Sequence, residues 1–150
     1  MSTPAPARPA PARSRGLGRV LVVVYGLLAL AATGRSVYQL LEDFDKAPVA
    51  YSLSALAGVV YIVATIALIV PGDRWYRVAV VTIGFELVGV LVVGVLSIVD
   101  PVLFPEKTVW SFFGRGYGFI PLVLPILGLL WLRRTRPSRI RPARTTGQVA

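Results

Sequence analysis

VAYSLSALAGVVYIVATIALIV, residues 49–70, runs for 22 residues without a charge. At 1.5 Å per residue it makes about 33 Å of helix, enough to cross the ~30 Å hydrocarbon core of a bilayer. The whole chain has the same character. It is 55% hydrophobic and 15% charged, with a mean hydropathy of +0.71, whereas soluble domains average about 45–50% apolar and about 25% charged. The expected fold is all-α, a four-helix transmembrane bundle.

Outward from that span, PGDRWYR (71–77) reads as a tight turn, with Trp75 and Tyr76 at the headgroup level. A third segment follows from Val78 to Val99, and on the N-terminal side a first segment runs from about Val20 to Leu41. The aromatic stretch DPVLFPEKTVWSFFGRGYG (100–118) is expected to lie on the membrane surface, with Trp110 and Trp131 as interfacial anchors. The last apolar run, Phe119 to Leu132, makes only ~21 Å of helix. It either begins near Phe112 or is a half-length, partly re-entrant element. Pro121 and Pro125 are expected to kink it and to free the carbonyls of Tyr117 and Pro121.

The organisation that results is a disordered Pro/Ala/Arg-rich tail over 1–18, a four-span bundle over 19–132 and a basic disordered tail over 133–150. Arginines, an apolar run and Ala29-Leu30-Ala31 also suit a cleaved secretory signal. The helical pattern continues through Thr33 to Leu41, which favours an uncleaved first span.

The net charge of +9 comes from short flanks. Arg8, Arg13, Arg15 and Arg19 precede the first span, Arg74 and Arg77 separate the second and third, and Arg133, Arg134, Arg136, Arg139, Arg141 and Arg144 follow the fourth. Only Arg35, Lys46, Lys107 and Arg115 fall on the other side, so the positive-inside rule places both termini in the cytoplasm. The basic residues lack the aromatic interleaving of a single-strand binder, and nucleic acid is not expected as a partner.

With no Cys, no His and Met only at position 1, the chain cannot build thiolate or imidazole metal sites, His-ligated haem or Ser-His and Cys-His nucleophile systems. No metal, cofactor or catalytic residue is expected. A Lys107–Ser111 pair is too sparse a signal for an enzyme.

One residue resists the apolar pattern. Glu86, in VTIGFELVGVLVVG (81–94), lies about 13 Å from the inner boundary by helical rise. An intramembrane charge costs roughly 2.5 to 3.5 kcal/mol even on insertion scales, so Glu86 is expected to face protein, as a neutral acid. At 100° per residue Thr82, Glu86, Val93, Ser97 and Asp100 share a sector. On the second span Ser54, Gly58, Tyr61 and Thr65 share a face, and Tyr61 and Thr65 bracket the depth of Glu86. They are its expected hydrogen-bond partners, ahead of Arg35. The candidate intramembrane polar site is therefore Glu86, Tyr61, Thr65 and Thr82, and an outer polar cluster comprises Arg35, Glu42, Asp100 and Arg115. Gly26, Ala29, Thr33 and Ser36 form a small-residue stripe suited to close helix approach.

GRSVYQL (34–40), KAPVAYSLSALAGVVYIVAT (46–65) and VDPVLFPEKTVWSFFGRGYGFIPLVLPILGLLWL (99–132) resemble small, uncharacterised four-span membrane proteins of actinobacteria. The resemblance spans Arg19 to Leu132 and implies a bacterial cytoplasmic (inner) membrane location; it carries over no functional residue. The leading functional expectation is a non-catalytic accessory or assembly subunit of a larger membrane complex, with basic tails on anionic lipid headgroups. The alternative is a small homo-oligomeric transporter or channel using Glu86 as a proton or cation site.

Overall fold

The computed structural model describes residues 13–42 and 44–136. Three long helices, α1 (Arg13–Glu42), α2 (Pro48–Ile69) and α3 (Asp73–Val99), are followed by a shorter α4 (Ile120–Arg134), and 3-10 segments occupy Phe44–Lys46 and Ser111–Tyr117. No strand occurs among the described residues. Local chemistry sets the ends. Pro48 opens α2 at a position where its missing N–H costs nothing, and Gly72, at φ 123°, turns the chain tightly into α3. Pro101 disfavours helical geometry at Asp100 and closes α3.

Three boundaries differ from expectation, the last being the end of α4 at Arg134, two residues into the segment read as a basic tail over 133–150. α1 begins at Arg13, inside the segment read as a tail, and α3 begins at Asp73, so Trp75 and Tyr76 lie within a helix. The tails over 1–12 and 137–150 lie outside the described residues.

The helices are inside-out relative to a soluble bundle. α2 buries Ala50, Ser54, Ala57, Gly58, Ala64 and Ala67 among its inward residues, while Leu56, Val59, Ile62, Ile66 and Ile69 are exposed. α1 and α3 likewise expose Leu27, Leu30, Val81, Val88 and Val92. In water, such continuous apolar faces are found at interaction sites and not all round a monomer; in lipid, small residues pack and large ones face the acyl chains. At Gly58 an added Cβ would lie 3.3 Å from Thr33 Oγ1 and 3.6 Å from the Ala32 carbonyl carbon, so α1 and α2 touch nearly backbone to backbone. α1, α2 and α3 are each long and apolar enough to cross a membrane, and the bent pair Ser111–Tyr117 and Ile120–Arg134, at 98°, makes a fourth crossing if counted as one span. The protein is an all-helical, multi-pass membrane protein.

The segment between α3 and α4 corrects the surface-loop expectation. Phe104, Thr108, Val109, Trp110 and Ser111 are buried, so the chain turns back into the helices after Asp100. Two α3 glycines make room for it. A Cβ at Gly89 would lie 2.7 Å from the Trp110 ring, and one at Gly94 would lie 2.5 Å from the Phe113 ring. Gly89 is ~16 Å along α3 from Asp100. Trp110 is thus a core residue and not an interfacial anchor; Trp131 is half-buried, and its ring covers Gly18.

Reciprocal bonds set this turn. Thr108 Oγ1 accepts from the N–H groups of Trp110 (3.1 Å) and Ser111 (2.9 Å), and Ser111 Oγ accepts from the Thr108 N–H at 2.9 Å. The arrangement is a capping box built with Thr and Ser. Phe112 and Phe113 then adopt left-handed backbone, φ 51° and 60°, at a cost of roughly 1–2 kcal/mol per residue. Because α4 starts at Ile120, Pro121 sits in its first turn, where it kinks nothing and frees no helical acceptor; Pro125 alone is internal.

Candidate functional site: the buried Glu86 centre

Glu86 projects from the middle of α3 into the helix interior and is 0% exposed. Tyr25 of α1, also 0% exposed, donates its phenolic O–H to Glu86 Oε2 at 2.7 Å. Beside it the Tyr61 ring of α2 stands 6.3 Å from the Tyr25 ring, tilted by 52°. Trp110, 1% exposed, donates its indole N–H to Tyr61 Oη at 2.9 Å. Three helices and the inturned segment therefore meet at one polar centre. Each polar side chain comes from a different element, so the contacts bind the elements to one another.

The partner of Glu86 is a correction. Depth on the second span predicts Tyr61 and Thr65 as partners, yet Tyr61 takes its bond from Trp110, and Thr65 Oγ1 turns back to the Tyr61 carbonyl at 2.7 Å. A hydroxyl one turn from a carbonyl on its own helix finds that acceptor without any tertiary help. Thr82 lies one turn before Glu86 and is half-buried. The sequence pattern alone does not point to Tyr25 or Trp110 as partners. The depth of Tyr25 was legible, since it lies ~9 Å past Arg19 and a phenol reaches further along. Trp110 carried no such signal, because its depth depends on the loop folding inward.

Glu86 Oε1 is buried and has no hydrogen-bond partner among the described residues. Ser36 Oγ, Gln39 Oε1 and Ser54 Oγ are likewise buried with no partner among the described residues. Ser97 Oγ, by contrast, donates to the Val93 carbonyl at 2.6 Å.

The outer polar cluster does not assemble around a common point. Arg35 donates from Nη2 to the Lys107 carbonyl at 2.9 Å, which ties α1 to the inturned segment. Asp100 Oδ1 accepts from the Leu103 N–H at 3.2 Å and holds the turn after α3. Glu42 and Arg115 are exposed. Ser111, the nucleophile of the weak Lys107–Ser111 pair, is buried with its oxygen engaged by Thr108.

Comparison with protein-family models, curated proteins and solved structures finds no match for this chain. Its function is read from the centre itself. Among the described residues no group of three or more acidic side chains could hold a metal ion. Glu86 is a lone carboxyl with phenol and indole neighbours, a set that supplies hydrogen bonds and one exchangeable proton.

Proposed function

We propose that this chain is a non-catalytic integral membrane subunit, an accessory or assembly component of a larger complex in the bacterial cytoplasmic membrane. Its termini face the cytoplasm, the bent pair of segments serves as the fourth span of a bundle, and its relatives are the small four-span actinobacterial proteins that its sequence resembles. The enclosure of Glu86 carries this reading. The one acid in the interior of a long helix among the described residues is wholly inaccessible and bonded to Tyr25, as suits a polar lock between helices. Interhelical hydrogen bonds of this kind contribute about 0.6 kcal/mol on average and up to about 1.7. Arginines at the ends of α3 and α4 support the orientation, and the exposed apolar faces of α1, α2 and α3 offer surface to a membrane partner as readily as to lipid.

A second reading has one observation in its favour. The unpartnered Glu86 Oε1 is the feature expected of a proton or cation site in a small oligomeric transporter or channel.

Purification of the full chain in a mild detergent, with identification of everything bound, separates the two. The accessory role requires a larger membrane protein at fixed stoichiometry, retained by a folded Glu86→Gln variant. A uniform homo-oligomer that carries pH-dependent flux in liposomes, lost in Glu86→Gln, would replace that role with transport.

A further inference from the structure

Between the Arg-rich ends of α3 and α4 lies a groove of about 610 Å³, lined by Tyr76, Arg77, Val80, Val81, Leu129, Arg133 and Arg136. Its size falls within the roughly 300–1,000 Å³ of ordinary ligand sites. Its chemistry is ordered along the membrane normal. Arg77, Arg133 and Arg136 are exposed at the helix ends, while Val81 and Leu129 lie one helical turn further in, and Val81 is 70% exposed. The wall between them is stiff, because Tyr76 donates its O–H across to the Leu132 carbonyl at 3.1 Å. Among the described residues the lining contains no acid.

We propose that this groove binds one anionic glycerophospholipid, its phosphate held by Arg77, Arg133 and Arg136 and its first acyl methylenes lying on Val81 and Leu129. Guanidinium groups match phosphate oxygens in geometry as well as charge, and basic pockets between spanning helices are suited to such headgroups. Charge complementarity also disfavours the other occupants. The chain beyond Arg136 carries Arg139, Arg141 and Arg144 and no Asp or Glu, so it offers no acidic side chain to complement the groove. A second copy would bring the same basic end. The site stands apart from the accessory role, and it narrows the general lipid contact of the basic tail to Arg133 and Arg136 beside Arg77 of α3, leaving Arg139, Arg141 and Arg144 outside it.

The test titrates diphosphatidylglycerol into the delipidated full chain in detergent and counts bound lipid by native mass spectrometry. Each arginine near the surface is worth about a fivefold change in affinity. Arg77→Gln with Arg133→Gln should therefore weaken the tightest site about 25-fold, whereas changing Arg139, Arg141 and Arg144 together to Gln should weaken it less than about twofold. If the double variant loses its helical circular dichroism, the single variants should each show the fivefold loss. Phosphatidylcholine should bind at least about tenfold more weakly than the anionic lipid, and millimolar glycerol 3-phosphate should not displace it, because a free headgroup leaves Val81 and Leu129 uncovered. Undiminished binding in the folded groove variants, equal loss on neutralising the tail, or displacement by glycerol 3-phosphate would each overturn the proposal.

Discussion

Replacing Tyr25 by Phe removes one oxygen and leaves the ring in place, so the loss is confined to the bond at 2.7 Å to Glu86 Oε2. No cavity term enters, because the ring that packs against Tyr61 is retained. Both residues are 0% exposed, so water cannot replace the lost donor. An acceptor left unsatisfied in a protein interior costs about 1–3 kcal/mol, while measured couplings between spanning helices reach only about 1.7. The expected destabilisation is therefore about 1–1.5 kcal/mol. The assay is reversible unfolding in mixed micelles of increasing denaturing detergent, followed by tryptophan fluorescence and run as a double-mutant cycle with Glu86→Leu. In the Leu background Tyr25→Phe should cost nothing or stabilise, since it removes a buried O–H that has lost its acceptor. A coupling below about 0.3 kcal/mol would refute the claim that this bond joins α1 to α3. A larger coupling of Glu86 to Tyr61→Phe would restore the partner expected from sequence.

Gly89→Ala places a Cβ 2.7 Å from a Trp110 ring that its bond to Tyr61 holds in place; the expected cost is about 1–3 kcal/mol, with a red-shift of tryptophan emission as the ring is displaced, and unchanged emission and stability would show that the inturned segment packs elsewhere. Glu86→Gln keeps an acceptor for Tyr25 and should fold to nearly normal yield in membranes, whereas Glu86→Lys puts a cation where Tyr25, Tyr61 and Trp110 offer no acid and should fail to accumulate; equal yields would show that residue 86 is not enclosed. Single cysteines at Asp45 and Glu106 should react with an impermeant maleimide added outside intact cells, and one at Arg139 only after permeabilisation. External labelling at Arg139 would end the orientation with both termini inside.

The helices themselves were legible because each is a one-dimensional signal. The charge-free run at 49–70 became α2 at Pro48–Ile69, a shift of one residue, since length and apolarity alone decide whether a segment can satisfy its backbone inside a bilayer. Glu86 was marked as inward-facing for the same reason: a lone acid on a spanning helix has nowhere cheaper to go. Its partner was not marked. Which of several hydroxyls at a given depth meets a carboxyl depends on the azimuth of each helix and its offset along the axis, and these are set by contacts such as Gly58 against Thr33. The greatest departure is residues 100–118, where an aromatic-rich composition fits the membrane interface and the interior equally well. Sequence determined that this stretch carries rings needing burial and an indole needing an acceptor. Only the tertiary structure decided that Gly89 and Gly94 leave seats for Trp110 and Phe113 on α3 and that Tyr61 Oη waits at the end of the first, because a seat is formed by residues from separate elements and exists only once they pack.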